Sequence, residues 1–206
     1  LGTICPVLDF DPVLEKKLTA EIDRLSEVLT RTWRKPVYRC VDLKWARPEY
    51  LVSGEGSQLF GSRWMAPKRE RTVYAASSEA LALKESRRLF ADYGIAKPLQ
   101  KPRVSVEIAL KLDRVADLTR LPALTDWPIL EELLAEDWEH CNDQGQESLS
   151  QLLGFACFQQ GFEALVIPSA RDKRGRNIAW FPSLHRYSST IQISGQQELT
   201  DWLKPH

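Results

Sequence analysis

Arg103 to Leu112 reads RVSVEIALKL, and Val104, Val106, Ile108, Leu110 and Leu112 fall at every second position. A period of two puts all five side chains on one face of a strand, with Ser105, Glu107 and Lys111 on the other. One face is therefore buried and one is wet, the pattern of an antiparallel sheet rather than a fully buried parallel one. Working back along the chain, Ser77-Ser78 supply a cap for a helix from about Glu79 to Tyr93, closed by Gly94 at C′. Lys97 to Pro102 then connects that helix to the strand. Arg71 to Ala76 and Val37 to Leu43 read as two further strands. Between them, Ala46 to Lys68 carries Gly54, Gly56, Gly61, Pro48 and Pro67 without periodicity and reads as a long irregular loop. Asp11-Pro12 opens a helix, and Leu14, Leu18, Ile22, Leu25 and Leu29 give it an apolar stripe running to about Trp33.

Beyond the strand, helices are expected from Thr125 to His140 and from Glu147 to Gln160. Strands follow at Phe162 to Pro168, Asn177 to Phe181 and Ser189 to Ile193. Helices and strands interleave without a steady βαβ rhythm, which predicts an α+β fold on a mixed or antiparallel sheet. A chain of 206 residues buries enough surface to need no disulfide or metal staple.

The 28 basic and 28 acidic side chains give zero net charge. That balance argues against a sequence-independent nucleic-acid binder and against polybasic attraction to a membrane. Cys5, Cys40, Cys141 and Cys157 form no C-x-x-C pair, and with three histidines no metal site is expected. No membrane span or signal segment is read, so a reducing, cytoplasmic setting is expected. An opening on Leu1 rather than Met reads as a chain trimmed or cut from a longer product.

Three features stand out from the pattern. Glu85 shares a helix face with Leu81 and Leu89, either as a flank residue reaching water or as an acid held in a cleft. Arg39 lies inside an apolar strand and Arg63 follows Gly61-Ser62. A guanidinium fork suits phosphate oxygens, while an outward edge position or a loop cap is the plainer role. Ser169 ends a strand and Asn177 begins the next. Turn chemistry or ligand orientation fits both, and without a G-x-S-x-G elbow a nucleophilic Ser169 is the weaker reading.

Taken in order, VYRCV with Arg39, FGSRW with Gly61 and Arg63, VYAASSEALALKE with Tyr74 and Glu85, and LLGFACFQQGFEALVIPSARDKRGRNIAWF with Ser169 and Asn177 resemble the RES-domain toxins. The resemblance spans about Pro36 to Phe181. Met65 and Pro67 depart from the Asn- and Gly-containing loop expected after the Arg-Trp pair. Residues 36–206 are therefore expected to form the RES domain and residues 1–35 an N-terminal helical extension.

The resemblance implies a fold similar to ADP-ribosyltransferase toxins and an activity that consumes NAD, by degrading it or by transferring ADP-ribose to a protein. It also implies an Xre-like antitoxin covering the active site. Carried over by position, Arg39, Tyr74 and Glu85 are the expected catalytic residues. Arg39, Arg63, Tyr74, Ser169 and Asn177 are expected to bind NAD, with no metal. A catalytically inactive protein-binding module on the same fold is the alternative.

Overall fold

Asp11 caps the first helix, α1 (Pro12–Leu29), its carboxylate accepting from the backbone N–H of Val13 and Leu14 at 2.9 and 3.1 Å. The computed structural model describes residues 8–92, 102–124, 133, 135–169, 172 and 174–203. α1 buries Leu18, Ile22, Leu25 and Leu29, the apolar stripe of the sequence. It stops short of the expected Trp33. Thr30–Trp33 is instead a strand, β1. Its β-branched and aromatic residues favour the pleated backbone, and Thr30 and Trp33 find partners in Ala116 and Leu112 of a neighbouring strand.

β2 (Pro36–Asp42) follows. The expected irregular loop holds two short helices, α2 (Pro48–Ser53) and α3 (Glu55–Phe60). Pro48 sits in the first turn of α2, where a missing N–H costs nothing. Gly54 joins the two helices at φ 68°, and a Cβ there would meet the Thr72 nitrogen at 2.9 Å. Both helices are too short to show a period, which is why they escape a pattern reading.

β3 (Val73–Ala76) leads to α4 (Glu79–Asp92), whose first turn is capped by the Ser78 hydroxyl accepting from Leu81 N–H at 3.3 Å. The expected stop at Tyr93-Gly94 lies outside the described residues. β4 (Arg103–Asp117) extends five residues past the quoted stretch, and α5 (Leu121–Leu124) comes soon after it. Most of the expected helix from Thr125 to His140 also lies outside the described residues. The helix that bears His140 is α6 (Trp138–Asp143), opened by the Asp137 carboxylate. α7 (Leu149–Gln159) starts with a Ser148–Gln151 capping box. β5 (Ala164–Pro168), β6 (Arg176–Trp180), β7 (Thr190–Ile193) and α8 (Gln196–Trp202) complete the described elements. Among them no helix is long and apolar enough to cross a membrane.

All seven described strands belong to one sheet, antiparallel except where β4 and β5 run parallel. β4 is long enough to serve two neighbours on each edge. One edge takes β2 and β1, the other β7 and β5. Because β2 pairs β3, β3 pairs β6 and β6 pairs β5, the pairing returns to β4 and closes the sheet on itself.

The closure has one weak joint. β2 and β4 share seven consecutive residue pairs, whereas β2 and β3 share one, Tyr38 with Ala76. Apolar packing lies on both faces. Val106, Ile108, Leu110 and Leu112 join Val73, Ile178 and Trp180 on one side, and α1 and α7 pack with Trp64, Phe162 and Phe181 on the other.

Candidate active site

Past the single Tyr38–Ala76 pair, β2 and β3 separate, and the gap between them is the mouth of a cleft. Three adjoining cavities of about 280, 260 and 200 Å³ meet at Tyr74. Arg39, Cys40 and Val41 of β2 face Tyr74 and Ala75 of β3 across the first, and Glu85 closes it from α4. Glu85 and Asn177 also line the second, with Arg63 and Trp138. The third runs from Arg39 to Gly54–Ser57 of α2 and α3.

Glu85 is half-buried and lines the first two cavities. Oε1 accepts the Ser169 hydroxyl at 2.6 Å and the Asn177 amide nitrogen at 2.9 Å. These donors come from the end of β5 and the start of β6, whose register sets Asn177 opposite Ile167 and also opposite Ala76 of β3. Two elements thus hold one carboxylate oxygen, which leaves Oε2 the freer of the pair. Asn177 Oδ1 is buried beside it without a hydrogen-bond partner among the described residues.

Arg39 is half-buried in its strand, and its guanidinium has no ion pair or hydrogen bond among the described residues. Burial without a compensating partner lowers its pKa to about 10. It remains cationic near neutral pH, facing two of the three cavities. A guanidinium fork is chemically suited to the paired oxygens of a carboxylate or phosphate.

Arg63 lines the second cavity, but its Nη1 donates to the carbonyls of Leu133 and Glu136 at 2.8 and 2.9 Å. It therefore ties the cleft wall to the residues before α6. The Glu136 carboxylate in turn accepts from the Leu149 and Ser150 N–H groups at the start of α7.

Tyr74 is held by its hydroxyl, which lies 2.6 Å from Ser62 Oγ and accepts from Trp64 N–H at 3.2 Å. Burial pushes its pKa well above the ordinary phenol value, so the hydroxyl stays protonated. The structure therefore gathers Arg39, Arg63, Tyr74, Glu85, Ser169 and Asn177 around one cleft. Ser62 and Gln151, which support Tyr74, were not singled out in the sequence. The signal for Gln151 was its capping-box position three residues after Ser148; Ser62 offered none.

A closed, mainly antiparallel sheet split at one seam, with a tethered carboxylate and an arginine that has no ion pair among the described residues lining the split, defines an α+β domain with a polar cleft. The chain belongs to the RES-domain family: the RES domain model matches residues 36–202. No curated protein matches the sequence. Among solved structures it is similar to a chain of the crystal structure of the M. tuberculosis MbcT–MbcA toxin–antitoxin complex. The TM-score is 0.63 at 21% identity, covering 91% of this chain and 99% of that one. At that identity the likeness concerns the fold.

Proposed function

We propose that the protein is a toxin that consumes NAD, cleaving the bond between nicotinamide and ribose, and that a partner antitoxin holds it in check. The observation that carries this reading is the tethered Glu85 carboxylate sharing one cavity with Arg39, whose guanidinium has no ion pair or hydrogen bond among the described residues. NAD has the matching chemistry, a pyrophosphate anion joined to a cationic nicotinamide riboside.

Breaking the glycosidic bond builds positive charge on the ribose, as in glycoside hydrolysis. A fixed carboxylate near that ribose stabilises the growing cation, and Glu85 Oε2 is available to accept a ribose hydroxyl. Ser169 and Asn177 direct the carboxylate, so neither acts as a nucleophile. Arg39 grips the pyrophosphate. The Tyr74 ring packs beside nicotinamide, and its fixed orientation lowers the entropy cost of binding that end of the substrate. Nicotinamide departs as a neutral ring and needs no second acid. Water, phosphate or a protein side chain then takes the ADP-ribosyl group.

A cytoplasmic NAD-consuming toxin requires a cover. Exposed Leu59 and Phe60, 60% and 72% accessible at the end of α3 beside the cleft, form an apolar tip that a covering protein would bury. The solved neighbour is part of a toxin–antitoxin complex, which supports such a partner, of the Xre-like kind expected from the sequence. The test is incubation of the purified protein with NAD while following nicotinamide release. Release by the parent protein and its loss in Glu85→Ala are expected, and unchanged turnover by Glu85→Ala would overturn the mechanism. NAD labelled in its adenylate half separates the acceptors, a labelled protein band marking transfer and free ADP-ribose marking hydrolysis.

A further inference from the structure

Ser62 belongs to the turn between α3 and Trp64 and touches three groups. Its Oγ lies 2.6 Å from the Tyr74 hydroxyl and 3.3 Å from the Met65 carbonyl, and its own carbonyl accepts from Gln151 Nε2 at 2.9 Å. Because Trp64 N–H already donates into the Tyr74 oxygen, one proton order satisfies the whole chain. Trp64 donates to Tyr74, Tyr74 to Ser62, and Ser62 to Met65.

The support beneath this turn is rigid. Gln151 is fully buried on α7, and its Oε1 accepts from Ser148 N–H, so both ends of its amide are engaged. One turn further along α7, Gly154 lies so close to Trp64 that an added Cβ would stand 1.9 Å from the Trp64 carbonyl oxygen. The helix face carrying Gln151 and Gly154 thus fixes both peptides that flank the Tyr74 hydroxyl. The phenol points into this turn, and its ring borders all three cavities of the cleft.

We propose that Ser62, held by Gln151, is a positioning residue that sets the Tyr74 ring against the substrate in the cleft. The proposal rests on the NAD-cleaving reading for its kinetic consequence but not for the geometry it asserts. A hydroxyl anchor orders the ring before substrate arrives, so its loss weakens binding more than chemistry.

The experiment compares the parent with Ser62→Ala, Ser62→Thr, Tyr74→Phe and the Ser62→Ala/Tyr74→Phe pair. NAD cleavage is measured together with the tyrosine ring signals of the ¹³C-labelled protein. Ser62→Ala is expected to raise KM for NAD roughly three- to tenfold with a smaller change in kcat. Tyr74→Phe should act similarly, the pair should be no worse than either alone, and Ser62→Thr should restore the parent value. The Tyr74 ring signals should average in Ser62→Ala, showing release of the anchor. Independent, multiplying effects on KM would overturn the proposal, as would unchanged Tyr74 signals in Ser62→Ala. If the parent cleaves no NAD, the functional reading fails, and the ring signals alone decide whether Ser62 anchors Tyr74.

Discussion

The Ser169 hydroxyl and the Glu85 carboxylate, 84 residues apart in the chain, meet at 2.6 Å. The contact fixes which carboxylate oxygen faces the protein and which faces the cleft. Glu85→Gln keeps the shape and removes the charge, and nicotinamide release should fall by about 10²–10³-fold. Ser169→Ala keeps the charge and loosens its aim. Its kcat should fall by roughly tenfold while the thermal midpoint stays near the parent value. Equal losses in the two variants would assign Ser169 a direct role in the chemistry.

Among the described residues the Arg39 guanidinium has no ion pair or hydrogen bond, and burial lowers its pKa to about 10. Arg39→Met should therefore raise the thermal midpoint of the ligand-free protein by a few degrees. It should also abolish the additional rise that saturating NAD or ADP gives the parent. Differential scanning fluorimetry reads both effects, and an NAD-induced rise preserved in Arg39→Met would remove Arg39 from the anion site.

Glu163 is fully buried, and burial pushes its pKa up. Hydrogen bonds from Ser189 Oγ and from the backbone N–H groups of Arg186, Arg114 and Asp113 outweigh that effect, so its net shift is downward. His185, beside it, is shifted down by burial, and its Nε2 is buried without a hydrogen-bond partner among the described residues. A histidine that resists protonation when folded contributes stability that is lost as pH falls below its ordinary value, about 6.5. The depressed carboxylate contributes stability above its ordinary value, about 4.3, that is lost as pH falls through the folded one. The thermal midpoint should hold near neutrality, decline below about pH 6.5 and drop more steeply below about pH 4.5. His185→Gln should flatten the first decline, and a slope unchanged by that substitution would exclude His185 as its source.

Gly154 gives a test of how closely α7 supports the cleft. Gly154→Ala would place a methyl group against the Trp64 backbone, with no flexible side chain to yield. The substitution should destabilise the fold by about 1–3 kcal/mol in urea titrations. It should also raise KM for NAD, because the turn that holds Tyr74 must move. A stability loss with unchanged KM would separate the helix contact from the site.

Local patterns made most of the elements legible. Asp11-Pro12 announced α1, Ser78 announced α4, and the alternation of Val104 to Leu112 announced β4, because caps and periods act within a few residues of the chain. Errors fell where a distant partner decides. Thr30–Trp33 is a strand because β4 is there to pair with it, and α2 and α3 are six-residue helices joined at Gly54, which packs against Thr72.

The site divides in the same way. Residue types and order brought out Arg39, Arg63, Tyr74, Glu85, Ser169 and Asn177 as chemically capable side chains, all within the span that the family model matches. Their contacts came from the tertiary structure. The separation of β2 from β3 opens the cleft, and the β6 register carries Asn177 to Glu85. Arg63 is turned toward the Leu133 and Glu136 carbonyls, and Ser62 is recruited beneath Tyr74. Cap and strand signals are short-range energies written in neighbouring residues. Which hydroxyl reaches which carboxylate across 84 residues depends on strand pairing and helix packing, and these exist only once the sheet has closed.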